Sequence, residues 1–167
     1  SIDIQPTSFV IEETLCRFGN HLRVAHAKGM RIGSAAFEAL MQGVSKRADK
    51  DASKVEVHQR IFKLAQTAGE YPTPEMTEIL LRSCVNAREA DVALANFPRE
   101  KTPKESAYEL IIDCLCKCRR LDAAETYAQE AEEKYGQMTE AMLCSMIRGA
   151  ALSAQEKVAL RYLADME

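Results

Sequence analysis

The 167-residue sequence contains no tryptophan, and aromatic residues make up only 6% of it. It has no run of 18 consecutive apolar residues, so we predict no membrane-spanning helix. A glycine-rich phosphate loop, a GxSxG motif and an HExxH motif are also missing. Dense acids such as Glu130, Glu132 and Glu133 have no partnered base beside them and suit a solvated helix surface. We therefore expect no enzyme activity and no cofactor.

Six cysteines are present, but no two of them form a CxxC pair. Cys114, Cys116 and Cys118 lie within five residues of one predicted helix, where the geometry of a disulfide is poor. Residues two apart also point to different sides of a helix, which disfavours a shared metal site. We interpret the cysteines as buried free thiols in a reducing intracellular compartment, and we expect no bound metal.

Helical spacing is clearest between Tyr108 and Gly136. Apolar residues recur there at steps of three and four, first up to Cys118 and then, after the polar pair Arg119 and Arg120, from Leu121 to Tyr135. Gly136 follows the last apolar residue, where a left-handed cap suits glycine. All five prolines fall at the edges of predicted elements, and no region has the pattern of a strand. The sequence therefore predicts an all-α fold.

Imperfect copies of this hairpin occupy most of the chain. Phe37, Thr77, Tyr108 and Leu143 fall at equivalent points, with spacings of 40, 31 and 35 residues that suit helix-pair repeats. We predict one helical-repeat domain over residues 1–167. Its parts are an N-terminal helix and partial repeat (1–33), a repeat with an enlarged turn (34–73), a short repeat (74–104), the best-formed repeat (105–139) and a C-terminal partial repeat (140–167).

Capping patterns predict four helix starts. They are Ser34, Thr73 followed by Pro74, Thr102 with Glu105, and Ser153 with Glu156. The polar run from 46 to 54 predicts the enlarged turn. It holds a basic cluster for which two interpretations stay open, a contact with RNA or an acidic partner and an exposed polar loop; its members are Lys46, Arg47, Lys50 and Lys54.

The best-formed copy reads AYELIIDCLCKCRRLDAAETYAQEAEEKYG and resembles a pentatricopeptide repeat. That family typically shows Tyr-Asn-x-Leu-Ile, Cys-Lys-x-Gly, Leu-x-x-Ala and Met-x-x-x-Gly, followed by proline. Arg119 stands where the family usually has glycine, Ala131 where it has methionine, and Met138 where it has the proline. Tetratricopeptide repeats share the architecture and are the neighbouring alternative. The matching residues are Tyr108, Ile111, Ile112, Cys116, Lys117, Leu121, Ala124 and Gly136.

The resemblance implies an α-solenoid, a right-handed superhelix of antiparallel helix pairs whose first helices line a concave groove. It also implies single-stranded RNA as the ligand, RNA processing as the role, and a mitochondrion or plastid as the location. Two residues per repeat would read a base. The resemblance places these pairs at Glu38 with Thr73, Glu78 with Lys104, and Glu109 with Thr139, while the final partial copy offers Cys144.

Glutamate in the first place of each pair departs from the asparagine, serine or threonine usual in the family. An ionised carboxylate repels a phosphodiester chain and only accepts hydrogen bonds. Two hypotheses therefore stay open: an RNA-binding protein, and a protein-binding scaffold or subunit whose groove takes a basic or helical segment. A third interpretation needs no ligand, since acids in a first helical turn stabilise it by about 0.3–1 kcal/mol. We also expect the chain to be part of a longer protein or a larger complex.

Overall fold

A computed structural model describes residues 6–29, 32–46, 51–97 and 103–166. Within these ranges the chain forms helices and no strand, which confirms the predicted all-α fold of packed helix pairs. The nine helices described there are α1 (Pro6–Ala27), α2 (Ser34–Ser45), α3 (Asp51–Thr67), α4 (Pro74–Ala87), α5 (Ala90–Asn96), α6 (Glu105–Lys117), α7 (Leu121–Tyr135), α8 (Glu140–Leu152) and α9 (Glu156–Ala164).

The chain divides into two compact units, Ser1–Ile79 and Leu80–Glu167. In the first unit, α3 packs against both α1 and α2. In the second unit, α6 packs against α7, α8 packs against α9, and α8 also lies on α6. In the second unit, the α6/α7 and α8/α9 pairs therefore bury their apolar sides within each pair and against each other.

The register predicted from the sequence is visible in the burial pattern. Phe37, Thr77, Tyr108 and Leu143 are the fourth residues of α2, α4, α6 and α8, and all four are buried. These four helices are the first helices of their pairs. Because the fourth residue is buried in each of these four helices, the same pattern of burial recurs along the chain.

A tight turn of one type joins α4 to α5, α6 to α7 and α8 to α9. In each of these three turns a residue other than glycine adopts a left-handed conformation, with φ of 59° at Arg88, 58° at Arg119 and 56° at Ala154. The amide of the next residue then donates to a carbonyl five positions back, as in Arg120 N to Leu115 O at 2.9 Å. This bond is the mark of a Schellman motif. The left-handed Arg119 is also where the family resemblance predicts glycine.

Helix caps agree with the sequence only in part. Thr73 caps α4 as predicted, because its Oγ1 accepts from the Met76 amide at 3.1 Å. Ser34 does not cap α2: it is the first helical residue, and Gly33 holds the cap position without a side-chain bond. Ser153 closes α8, while Gln155 precedes α9. The three-residue Schellman turn leaves no room for the capping box predicted there.

The helix start predicted at Thr102 and the enlarged turn predicted over 46–54 also differ from the structure. Lys104 holds the cap position of α6, while Thr102 lies outside the described residues. Helix α3 begins at Asp51, so Lys54 lies on that helix and not in a turn. An acid at a helix start is favoured by the dipole, which explains the earlier beginning. Within the basic cluster, Lys46 follows α2 directly and is exposed, whereas Arg47 and Lys50 lie outside the described residues.

Candidate functional site

The predicted ligand-facing column occupies one position of the repeated helix. Glu38, Glu78, Glu109 and Cys144 are the fifth residues of α2, α4, α6 and α8, and each is half-buried. They stand one turn inside their helices. The interpretation of the glutamates as first-turn acids is therefore wrong: the first-turn acids of α4, α6 and α8 are Glu75, Glu105 and Glu140.

A threonine hydroxyl joins this column to the next repeat. Thr139 Oγ1 donates to Glu109 Oε1 at 2.7 Å. The same oxygen accepts from the Met142 amide at 3.3 Å and so caps α8. One hydroxyl thus fixes the start of α8 and ties it to α6.

The first unit repeats this arrangement. Thr73 Oγ1 donates to Glu38 Oε2 at 3.4 Å while it caps α4. The other carboxylate oxygen, Glu38 Oε1, accepts from Gln42 Nε2 at 3.1 Å. Two of the three predicted pairs are therefore brought together. Of the third pair, Glu78 is half-buried on α4 in the first unit, and Lys104 is exposed before α6 in the second.

These pairs have a definite hydrogen-bonding character. The threonine proton is directed at the carboxylate, and the threonine oxygen already accepts a backbone amide. An ionised carboxylate has no proton to donate. A ligand that reaches Glu109 and Thr139 therefore meets acceptors, and its own groups must supply the donors.

Charged residues of both signs lie one and two turns after the fifth position of the first helices. Asp113 on α6 accepts from Arg148 Nη1 of α8 at 3.2 Å and from Lys117 Nζ at 3.0 Å. Arg148 is Asp113's counterpart in the next repeat, since both are the ninth residue of a first helix. Arg82 holds that position in α4 and is exposed. This bridge was not predicted from the sequence, although the 35-residue separation of its members matches a repeat spacing.

The term first-helix stripe is used below for the fifth and ninth residues of the first helices. It also includes the lysine at the end of α6, Lys117, and the lysine that follows α2, Lys46. At a rise of about 1.5 Å per residue, the ninth residue lies about 6 Å from the fifth along the axis, and the helix end about 12 Å from it. In α6 the stripe begins with Glu109 and ends with Lys117, and in α2 it begins with Glu38 and is followed by Lys46. Its charged members are Glu38, Lys46 and Glu78 in the first unit, and Arg82, Glu109, Asp113, Lys117 and Arg148 in the second.

Three cysteines on the first helices α4 and α6 are buried. Burial raises the pKa of both Cys84 and Cys116 to about 12, and it also raises that of Cys114. Their thiols stay protonated at neutral pH and are poor nucleophiles. Across the described residues, no group of three or more His, Cys, Asp or Glu side chains has the geometry to hold a metal ion.

His58 is the buried histidine of α3. Its Nε2 lies 3.1 Å from Met41 O and 3.3 Å from Ser45 Oγ, both on α2. Burial lowers the pKa of His58 below 6.5. A neutral imidazole bonded to a backbone carbonyl joins α2 to α3, which is a structural role.

No protein-family model matches the sequence, and no curated protein matches it significantly. The structure is similar to that of nuclear proteinaceous RNase P 2 (PRORP2) of A. thaliana, with a TM-score of 0.66 and 17% sequence identity. The alignment covers 95% of this chain and 37% of that chain. None of the helices described is long and apolar enough to cross a membrane. The chain therefore has a helical-repeat fold similar to that of pentatricopeptide repeats.

Proposed function

We propose that the protein is a non-enzymatic binding module that holds single-stranded RNA along its first-helix stripe. The observation that carries this proposal is the recurring bond between a fifth-position glutamate and the capping threonine of the next repeat, seen in both units. In two of the three pairs that the family resemblance assigns to base reading, the two side chains are hydrogen-bonded to each other. The mitochondrion or plastid is the proposed location, and localisation of the tagged full-length protein tests it.

The stripe suits a ligand with two rows of groups. Carboxylates such as Glu109 lie at its start, and cations such as Lys117 lie about 12 Å further along the axis. RNA carries hydrogen-bond donors on its base edges and negative charge on its phosphates. If the bases lie at the carboxylates and the phosphates lie near the cations, both rows of the stripe are satisfied. This arrangement removes the repulsion expected if the phosphates faced the glutamates directly.

The acceptor character of the pairs also predicts a base preference. Guanine presents two adjacent donors on its Watson–Crick edge, whereas uracil presents one donor between two acceptors. A carboxylate accepts two parallel hydrogen bonds well. Glu38 and Glu109 therefore favour guanine over uracil.

The fold likeness adds a general argument. PRORP2 is an RNase P by its name, and this chain corresponds to 37% of that chain. An RNA ligand for this fold is consistent with that likeness. Cleavage is not part of the proposal, and incubation of labelled RNA with the protein and Mg²⁺ is expected to leave the RNA intact.

Binding of a labelled mixed-sequence single strand at rising salt tests the electrostatic part. Each phosphate contact contributes a slope of about 0.7 in log affinity against log salt for single strands. Arg82→Ala and Lys117→Ala should each weaken binding and reduce that slope. Lys63→Ala and Lys157→Ala make the same charge change on exposed sites of second helices and should leave both unchanged. Equal effects of all four variants, or no binding at low salt, would refute RNA binding along the stripe.

Base reading needs its own test. A uridine oligonucleotide with a few guanines should bind more tightly than uridine alone, and Glu109→Gln should reduce that difference. The amide of glutamine offers one acceptor and one donor, so it no longer matches two donors. An unchanged preference in the variant would remove Glu109 from recognition.

A protein ligand is the second candidate, and a specific observation favours it. Acids lie in the first halves of the first helices: Glu75 and Glu78 in the first unit, and Glu105, Glu109 and Glu140 in the second. Such acids suit a basic or helical segment of a partner. Binding of an arginine-rich peptide but of no RNA, abolished by charge reversal at Glu78 and Glu109, would select this candidate.

A further inference from the structure

Three cysteines of the second unit lie near the ends of two first helices, α4 and α6. Cys84 is in the last turn of α4, Cys114 is in the last turn of α6, and Cys118 directly follows α6. The Cys118 thiol donates to the backbone carbonyl of Arg88, the residue after α4, at 3.2 Å. The side chain of Cys118 therefore reaches from the end of α6 to the end of α4.

The thiols of these three residues, called the thiol cluster, act on one another. Cys114 and Cys118 are four residues apart on one side of α6, and their thiols are hydrogen-bonded. Burial, and then the charges of Glu89 and Cys118, raise the pKa of Cys84 to about 12. Burial also raises the pKa of Cys114, and the charges of Cys118 and Cys84 add to this effect. Each thiol therefore lies within electrostatic reach of the other two.

Cys118 is the member of the cluster that solvent reaches. Cys84 and Cys114 are fully buried, whereas Cys118 is half-buried. A small oxidant therefore meets Cys118 before the other two, since access controls which thiol is oxidised. Cys16 is exposed and Cys144 is half-buried, so both are also accessible. What distinguishes Cys118 is the presence of two thiols beside it.

Of these two thiols, Cys84 is the suitable partner for a disulfide. The helix holds the Cβ atoms of Cys114 and Cys118 about 5–6 Å apart. A disulfide needs about 3.5–4.5 Å between them. Cys84 is on a different helix, so no helical repeat fixes its distance from Cys118. The hydrogen bond to the Arg88 carbonyl, one turn after Cys84, already holds the Cys118 side chain at this end of α4.

We propose that Cys118 and Cys84 are an oxidation-sensitive pair that peroxide converts into a disulfide between α6 and α4. Peroxide first transfers one oxygen atom to Cys118 Sγ, which becomes a sulfenic acid, and one water is released. Cys84 Sγ then bonds to Cys118 Sγ while the S–O bond breaks. The Cys84 proton leaves with the hydroxyl as a second water. Two thiols and one peroxide thus give one disulfide and two waters.

Proximity is what makes the second step feasible. Cys84 is protonated at neutral pH, which makes it a poor nucleophile in free solution. Holding two reacting groups side by side offsets such a handicap, because it replaces a bimolecular encounter with an intramolecular one. We therefore expect a disulfide that forms slowly but is selective for this pair.

The disulfide is expected to be a reversible link. It replaces the hydrogen bond from Cys118 to the Arg88 carbonyl, because the thiol proton is lost. In a reducing compartment such bonds are usually transient and redox-sensing. Arg82 and Lys117 of the first-helix stripe lie within two residues of the pair, so the link forms beside the stripe. The chemistry needs no ligand and stands independently of RNA binding.

Peptide mapping of the oxidised full chain tests the pair. The reduced protein is treated with hydrogen peroxide, its remaining thiols are alkylated, and it is digested without reduction. Mass spectrometry should show one main intramolecular link, between the peptides that contain Cys84 and Cys118, with a mass two hydrogen atoms below their sum. Dithiothreitol should separate the two peptides. Oxidation in denaturing urea should give mixed links, because the fold no longer selects the pair.

Variants assign the two roles. Cys84→Ala should abolish the link and leave a sulfenic acid at Cys118, which dimedone traps. Cys118→Ser should abolish both the link and this dimedone product. Cys114→Ala removes the other thiol of the cluster, and Cys16→Ser removes an exposed thiol on α1; both should leave the link unchanged. Circular dichroism of each variant checks that the helices are retained.

Three results overturn the proposal. The first is a wild-type protein in which dimedone labels Cys118 but no link to Cys84 forms. The second is a link from Cys118 to Cys114 that persists in Cys84→Ala. The third is a set of disulfides between separate molecules alone, which would show that Cys84 does not reach Cys118 within one chain.

Discussion

Two glycine-to-alanine substitutions in equivalent helices should change stability in opposite directions. Gly149 lies within α8, where an added Cβ would come 2.6 Å from Cys116 Sγ, 2.8 Å from Cys116 Cβ and 3.2 Å from its Cα. Gly43 lies within α2, where an added Cβ has no neighbour within 4 Å. The chemical change is the same, so the surroundings decide the sign.

The magnitudes follow from two opposing effects. Alanine is favoured over glycine inside a helix by about 1 kcal/mol. Overpacking a well-filled core costs about 1–3 kcal/mol, and the upper end applies at Gly149 because the Cα of Cys116 cannot rotate away. We expect Gly149→Ala to lower the free energy of unfolding by about 2 kcal/mol and Gly43→Ala to raise it by about 1 kcal/mol.

Urea denaturation followed by circular dichroism at 222 nm measures both changes. A second substitution isolates the contact: in a Cys116→Ala background the 2.6 Å sulfur contact is gone, but the 2.8 Å contact with Cβ remains. The cost of Gly149→Ala should therefore shrink there without vanishing. A stabilising Gly149→Ala, or a cost unchanged by Cys116→Ala, would refute the close approach of α8 to α6.

Three further predictions concern the turns, the buried histidine and the caps. Ala154→Gly and Arg119→Gly should each stabilise the protein by about 0.5–1 kcal/mol in urea denaturation, because left-handed backbone strains residues with a Cβ; destabilisation by both would contradict the turn. The free energy of unfolding should fall as pH drops below about 6.5, because burial lowers the pKa of His58 and the unfolded chain then binds more protons. Urea denaturation at pH 7.5 and at pH 5.5 measures this fall. His58→Gln should reduce the difference in stability between the two pH values. Thr139→Val should lower the free energy of unfolding by about 1–2 kcal/mol, because the hydroxyl makes two hydrogen bonds. Thr139→Ser should lower it much less, since serine keeps both of these bonds. Equal losses in the two variants would mean that the hydroxyl is unimportant.

The fold could be predicted because one spacing pattern recurs along the chain. Apolar residues at steps of three and four fix the buried side of a helix, and a shared register places Tyr108 and Leu143 at the same depth. Gly136 ends α7 with φ of 85°, as the position of a glycine after the last apolar residue predicted. These features depend on local sequence alone.

Caps and turns were harder to predict because several residues compete for each role. Ser153 and Glu156 have the spacing of a capping box, yet the Schellman turn that closes α8 takes up the same three residues. Arg88 and Arg119 adopt a conformation that favours glycine, and no rule of composition indicates this. Both residues are exposed, and each turn is closed by the backbone hydrogen bond of the following amide to a carbonyl five positions back.

The hydrogen bond between Glu109 and Thr139 links two residues that the family resemblance had paired, while their role in binding a ligand stays a prediction. The double use of the hydroxyl and the bridge from Asp113 to Arg148 needed coordinates, because each depends on how two helices pack side by side.

The capping threonines have a consequence for how such a protein changes over evolution. Thr139 forms part of the proposed recognition pair, begins α8 and holds α8 to α6. A mutation of Thr139 that altered selectivity would also weaken the contact between α8 and α6. New specificities are therefore expected to arise first at the fifth residue of the first helix, while the threonine is retained for its structural role.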